Sequence, residues 1–296
     1  MPFSFYKIGA DVEWLAKTRG RHIHANKITG VTKNPSEFIA PNPNIFIPNA
    51  YIGIDGEPSV GELRPPPSKN IYPLLVYLGT AVTLLAQRLP PNTTLIAHPY
   101  DFGRAVGGHI HVSFISRNTH FLQLRTEGSV AYNPERHYMP DLEKVGFIYA
   151  NKFSSTLSWA IMPFERAMQP VEKLRLRNKL YGHSDLSARE DHFPEQPLHL
   201  MAFEYRRPST WLAHPDLAYC YLALAKLVST NFPIMGPLVD TCQSTVEGYL
   251  SIMEKGVVSS DLKPLRNLIP KLIAQGPFPQ EVNLDAWKRW AVTMAN

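Results

Sequence analysis

Thiols are scarce: Cys220 and Cys242 are the only cysteines in 296 residues. Two cysteines cannot build a disulfide framework, and no Cys/His spacing of the zinc-binding type is present. Both fall in segments that read as helices, so they are expected to be ordinary buried thiols of a reducing compartment. Charge is also low, at 19% of residues against the usual quarter, while 44% are hydrophobic. That balance excludes a chain disordered throughout and allows a sizeable core. The formal net charge is +5, with no dense Lys/Arg stripe interleaved with aromatics. It suits a polyanionic ligand such as a nucleotide and argues against a DNA-binding surface. Long apolar runs are missing as well. The most apolar stretch, Leu74–Leu85, is shorter than a membrane span and contains Gly79, Thr80 and Thr83. The N-terminal MPFSFYKIGADVEW lacks the apolar stretch of a signal peptide. The expectation is a soluble cytoplasmic protein with no membrane and no nucleic-acid partner.

What is present is a run of strands with interspersed helices, followed by helices. Residues 3–14 alternate enough to read as a strand, and residues 30–50, rich in Pro and Asn, read as a loop. Tyr51–Ile54 and Val60–Arg64 read as short strands joined by the turn Asp55-Gly56-Glu57-Pro58. A helix from about Tyr72 to Leu89, apolar nearly all round, should be well buried. Thr93–His98 and GGHIHVSF (Gly107–Phe114) read as strands, Asp141–Met168 as a helix, Arg175–Glu195 as a polar segment with a Tyr181-Gly182 turn, and Leu198–Arg207 as a strand. Pro215 opens a helix to about Thr230, and three more follow near 238–255, 261–275 and 284–295. No repeat or linker divides the chain. The order favours a single α+β domain over 1–296, with a mostly antiparallel sheet and a helical portion from about residue 215.

Four of the strands carry ionisable residues two apart: Asp11 and Glu13, Glu62 and Arg64, His109 and His111, Glu204 and Arg206. Residues i and i+2 of a strand share a face. If the strands share a sheet, one face presents four carboxylates, two imidazoles and two guanidiniums. Such a face cannot pack as an apolar core and suits the floor of a wet cleft. Gly107 and Gly108 let backbone or ligand approach closely at the start of the histidine strand. Carboxylates with one or two histidines suit hard divalent ions, Mg²⁺ or Mn²⁺. Arginines beside them suit phosphate or carboxylate groups. Together these are what a nucleoside triphosphate needs. Each pair alone has a bland reading, as an exposed face or a cross-strand ion pair of little consequence. Arg21-His22-Ile23-His24 repeats the His-x-His spacing with no glycine lead and no carboxylate beside it, and reads as surface or structural. The functional reading rests on the recurrence.

At these residues the chain resembles the carboxylate–amine ligase superfamily of glutamine synthetase and glutamate–cysteine ligase. More closely it resembles the type-2 COOH–NH2 amidoligases of bacteria and phages similar to phiEco32. The matching segments are GADVEW (Gly9–Trp14), GIDGEPSVGELRP (Gly53–Pro65), GGHIHVSF, RNKLYGHSD (Arg177–Asp185) and FEYRRPSTWLAHP (Phe203–Pro215). The resemblance implies a glutamine synthetase-like domain: a curved, mostly antiparallel sheet with the site on its concave face and helices behind. It implies an ATP- and Mg²⁺-dependent ligase (Mn²⁺ as an alternative) joining a small-molecule or peptide carboxylate to an amine, in host cytoplasm if phage-encoded. Asp11, His109 and Glu204 would share one Mg²⁺, and Glu13 and Glu62 would hold another. His111 would face the ATP phosphates, and Arg206 would contact the transferred phosphoryl group. Arg177 and the Tyr181-Gly182 turn would lie near nucleotide or acyl phosphate, and Arg64 would meet a substrate carboxylate. The first carboxylate is Asp11 where many relatives have Glu, and Asp55 and Glu57 are candidates to complete the second metal position. The alternatives are a Zn²⁺ hydrolase built on the His-x-His pair and Glu204, and a non-catalytic binding module.

Overall fold

The computed structural model describes residues 3–30, 51–55, 57–116, 140–181, 188–190, 200–238 and 260–295. Its organising element is β1 (Phe3–Thr18). Every second residue of its central stretch is apolar, and Ile8, Ala10, Val12, Trp14 and Ala16 are all buried. The intervening Asp11 and Glu13 therefore point to the opposite face. Along one edge β1 pairs with β4 (Gly61–Arg64), which pairs with β3 (Tyr51–Ile54). Along the other it pairs with β8 (Gly108–Ser116), followed by β10 (Leu200–Tyr205) and β9 (Ala188–Glu190). The end of β1 turns at Arg19-Gly20, both at positive φ (48° and 76°), into β2 (Arg21–Ile23). Such a two-residue turn matches the twist of a hairpin. The same end of β1 also pairs with β5 (Thr93–Ile96). All pairings among the described residues are antiparallel. A separate small hairpin joins β6 (Tyr100–Asp101) to β7 (Arg104–Ala105).

Seven α-helices are described. They are α1 (Ala25–Thr29), α2 (Ile71–Arg88), α3 (Pro140–Met168), α4 (Val171–Tyr181), α5 (Pro215–Leu238), α6 (Leu265–Gln275) and α7 (Leu284–Ala295). The main core lies on the apolar face of the sheet. Ile110, Val112 and Phe114 of β8 join Phe153, Leu157, Ala160 and Phe164 of α3, which recur at helical spacing. The Phe114 and Phe153 rings meet edge to face at 5.1 Å. Each such side chain contributes about 1.5–3 kcal/mol by leaving water. α5 is apolar on nearly all sides and buried from Leu217 to Val228. It kinks at Asn231 (φ −109°, ψ 15°), two residues before Pro233, whose ring cannot donate to the helix ladder. Cys220, on α5, is a buried free thiol; Cys242 lies outside the described residues.

Two differences from the sequence reading have physical reasons. The polar segment from Arg175 begins as helix α4. Its buried stripe pairs Leu174 with Arg177, so the expected apolar repeat is broken by a buried guanidinium. The connection before GGHIHVSF carries the β6–β7 hairpin, built on Phe102 and Gly103 at positive φ (47° and 75°). A small second core of Leu15, Val60, Ile96 and Val106 packs with Phe102 beside it. Next to it His98 is buried, its Nε2 3.5 Å from Asp101 Oδ2. Burial depresses its pKa to about 4, with Asp101 opposing. Most of the loop over 30–50 and of the helix read near 238–255 lies outside the described residues. No helix among them is long and apolar enough to cross a membrane.

Candidate active site

Strand register brings the four pairs together. β4, β1, β8 and β10 are consecutive neighbours. Glu13 stands opposite Glu62, Asp11 opposite His109, and His111 opposite both Gly9 and Glu204. The side chains touch across the strands. His111 Nε2 lies 3.0 Å from Asp11 Oδ1. His109 Nδ1 lies 3.3 Å from Asp11 Oδ1 and from Glu204 Oε1, and its Nε2 is 3.8 Å from Glu13 Oε1. Arg64 pairs with Glu62, and Arg206 Nε lies 3.3 Å from Glu204 Oε1.

The wet floor expected from sequence is dry at its centre. The side chains of Glu13, Glu62, His109 and Glu204 are 1–2% exposed, while His111, Arg64 and Arg206 are 19–30% exposed. The acids therefore form a buried centre with an imidazole and two guanidiniums at its rim. Burial works to raise the Asp11 pKa, but the His111 and His109 imidazoles outweigh it and hold it well below the usual range. Burial, and then the Asp55 charge, push Glu13 up against the pull of His109 and the Gly107 N–H. Glu62 is held well above its ordinary value by burial first and by the Asp11 charge next, with Arg64 opposing.

The donor set fits a divalent cation. One ligand atom each from Asp11, His111 and Glu204 lie within 4.8 Å of one another. Asp11 Oδ1 and Glu13 Oε1 are buried, and the groups facing them are imidazoles: His111 and His109 at 3.0 and 3.3 Å from Asp11 Oδ1, and His109 at 3.8 Å from Glu13 Oε1. Buried carboxylate oxygens clustered beside imidazole nitrogens suit a hard divalent ion. His111 thus groups with Asp11 and Glu204, and His109 sits between Asp11, Glu13 and Glu204. Asp55 lies close enough to raise both Glu13 and Glu62. Glu57 instead accepts from Ser59 Oγ and pairs with Arg104 at 2.7 Å.

Gly107 just before β8 and Gly108 at its start admit neighbouring protein groups at close range. A Cβ at Gly107 would collide with the His109 ring, and one at Gly108 would come within 2.5 Å of the Trp211 indole. The Gly107 N–H donates to Glu13 Oε2. The segment 208–211 locks the same corner. Gly108 N donates to Pro208 O (2.9 Å), Thr210 Oγ1 to Glu13 O (2.7 Å), and Trp211 Nε1 to Gly108 O (3.0 Å).

Arg177, expected to lie near nucleotide or acyl phosphate, is held by backbone carbonyls. Its guanidinium is fully buried and donates to four carbonyls: Val106 (3.1 Å), Arg207 (2.5 Å), Arg206 (3.0 Å) and Pro208 (3.0 Å). It is a clamp on the turn that carries Arg206. Sequence reasoning missed its neighbour Glu165. That buried carboxylate accepts from Ser209 N (2.6 Å) and Ser209 Oγ (2.5 Å). Burial raises its pKa, with Arg177 opposing. The available signal was an acid inside the apolar run WAIMPFERAM. Tyr181 ends α4; Gly182 and Asp185 lie outside the described residues. Arg189 occupies the β9 position opposite Glu204. The second His-x-His is elsewhere: His22 stacks on Phe102 at 5.0 Å and its Nε2 meets Ser59 O at 3.2 Å.

No protein-family model matches the chain, and no curated protein sequence does. Among solved structures it is similar to a bifunctional glutathione synthetase from Pasteurella multocida, at 14% identity and a TM-score of 0.44 over 98% of this chain and 53% of that one. It is also similar to a chain of the complex between prokaryotic ubiquitin-like protein Pup and its ligase PafA (11%, TM-score 0.46, 97% and 63%). A glutamine synthase homolog matches at 13% and a TM-score of 0.42, over 99% and 67%. The chain thus spans about half of the first of these and under two thirds of the second. Likeness at this level says nothing of substrate or reaction, which must come from the residues themselves.

Proposed function

We propose that the protein is an ATP-dependent carboxylate–amine ligase, of the type-2 amidoligase kind, that works through an acyl phosphate. The observation that carries this reading is the convergence of Asp11, Glu13, Glu62, His109, His111 and Glu204 from four adjacent strands, with Arg64 and Arg206 at the rim. A carboxylate does not react with an amine directly, because its leaving group is poor. Its oxygen attacks the γ-phosphorus of ATP, the bond to ADP breaks, and the amine nitrogen then attacks the acyl carbon. Phosphate leaves and a proton is lost. Arg206 contacts the moving phosphoryl group, Arg64 meets the acid's carboxylate, and His111 faces the triphosphate. Arg177, Glu165 and the 208–211 segment hold Arg206 and Glu13 in place.

Asp11, Glu204 and the two imidazoles would hold one Mg²⁺ or Mn²⁺, and Glu13 and Glu62, joined by Asp55, a second. Such ions neutralise phosphate charge and align the reactants. The whole of 1–296 is one catalytic domain, helical from about residue 215, and works in the cytoplasm on a small-molecule or peptide acid and an amine. A Zn²⁺ hydrolase of the parallel-barrel kind finds no support in a sheet whose described pairings are all antiparallel. Thermal unfolding decides between them: Mg·ATP should raise the transition for a ligase, and Zn²⁺ alone for the hydrolase. No response to Mg·ATP, together with no ATP-dependent phosphate release in a pooled metabolite extract, would end the ligase reading.

A further inference from the structure

We propose that Lys7 and Lys69, gathered around Tyr6, bind a second anionic group of the acid substrate, a carboxylate or a phosphate. This rests on the ligase reading and makes the acid at least a dianion.

The site is built by an irregularity in β1. Its register against β8 shifts between Phe5 and Lys7, so Tyr6 is an extra residue. Bulges of this kind re-aim side chains and occur beside functional sites. The Ser113 hydroxyl secures the bulge, accepting from Lys7 N and donating to Lys7 O, both at 3.2 Å. Lys7 stands opposite Ser113, on the face that carries His111 two residues away on β8 and Asp11 four residues on along β1. On the other edge of β1, Ile8 and Ser68 exchange backbone hydrogen bonds at 2.8 Å each way. The next residue outward, Lys69, therefore comes alongside Lys7.

Both ammonium groups lie 5.2 Å from the centroid of the Tyr6 ring. Among the described residues no carboxylate pairs with either. Helix α2 begins two residues past Lys69, and its first turn brings no acidic residue. One ring attracts each cation by only about 0.5–1 kcal/mol at an exposed position, and like charges on neighbouring strands repel. An anion between the two lysines removes that repulsion. At a rise of about 3.3 Å per residue, Lys7 is roughly 7 Å from the His111 pair and roughly 13 Å from Asp11 along the strand. An acid whose reacting carboxylate meets Arg64, level with Asp11, would place a second anion at the lysines if roughly 10–13 Å separates the two, the long lysine side chains covering the remainder. Long dicarboxylates, short acidic peptides and phosphorylated acids meet that condition.

The test is calorimetric titration in Mg²⁺ buffer without nucleotide, using suberate, its monomethyl ester and inorganic pyrophosphate. The proteins compared are the unsubstituted chain, the double variant Lys7→Met/Lys69→Met, and Lys27→Met as a control for an exposed lysine elsewhere. Suberate is expected to bind at least about tenfold more tightly than its monoester. The double variant should lose that preference with its unfolding transition unchanged, and the control should keep it. A double variant that retains the preference overturns the proposal. So does one that loses pyrophosphate or ATP binding while suberate is unaffected, because the lysines would then serve the nucleotide. Loss of the ligase reading looks different: dianion binding would depend on the lysines while ATP-dependent phosphate release was missing.

Discussion

The two faces of one sheet obey opposite rules. On one, the apolar side chains of Val12, Ile110, Val112 and Phe114 pack in the core with residues of α3 and α5. On the other, the residues between them in the same strands are Asp11, Glu13 and His109, buried almost as completely, and His111 at the rim. The first face gains free energy by leaving water. The second brings together buried groups that raise or lower one another's pKa values. The apolar side of the sheet supplies stability that the crowded acidic side opposes.

That contrast can be broken in a set order. The largest effect should come from Glu13→Gln or Glu204→Gln, which keep shape and remove charge. ATP-dependent phosphate release should fall at least about a thousandfold, roughly 4 kcal/mol of transition-state stabilisation. The unfolding midpoint should stay level or rise. A fall in midpoint with activity retained would mean that these acids serve the fold. On the apolar face, Phe114→Ala should cost about 3–5 kcal/mol in urea unfolding while leaving Mg²⁺ affinity of the folded fraction intact.

Smaller effects sharpen the comparison through pH. His98 titrates at about 4 in the fold and at 6.5 when unfolded. Its contribution is present above 6.5 and is lost as pH falls through 4, by about 3 kcal/mol at most. Replacing His98 by Gln should flatten that acid limb. Glu62 has the opposite sign. Its folded value lies above its ordinary 4.5, so the stability it contributes is present below 4.5 and is lost as pH rises through the raised value. Glu62→Gln should remove that alkaline decline in metal-free protein, and a decline left unchanged would show that Glu62 is not its source. The smallest change belongs to a pair outside both faces. Lys17 Nζ and Glu281 Oε1 meet at 2.9 Å but are largely solvated, so Lys17→Ala should cost under about 1 kcal/mol.

Much of this floor was legible because strands write their faces in alternate letters. D-x-E, E-x-R, H-x-H and E-x-R were enough to place eight side chains on one surface once the strands were known to be neighbours. The depth of burial was not legible, since nothing local says that the acids will be covered. Nor was Arg177. Its partners are carbonyls 29 to 71 residues away, and a carbonyl has no side-chain signature. The same holds for Glu165, whose partner Ser209 belongs to a motif read only for Glu204 and Arg206. Which imidazole joins Asp11 and Glu204 depends on ring orientation, which spacing alone leaves open.

β1 pairs with β2, β4, β5 and β8, and two of the site's four acids, Asp11 and Glu13, hang from its middle. In hydrogen-exchange terms its amides are expected among the most slowly opening of the molecule, released only when the whole sheet comes apart. The candidate site should then have no private melting transition, and loss of its ordered geometry should coincide with global unfolding.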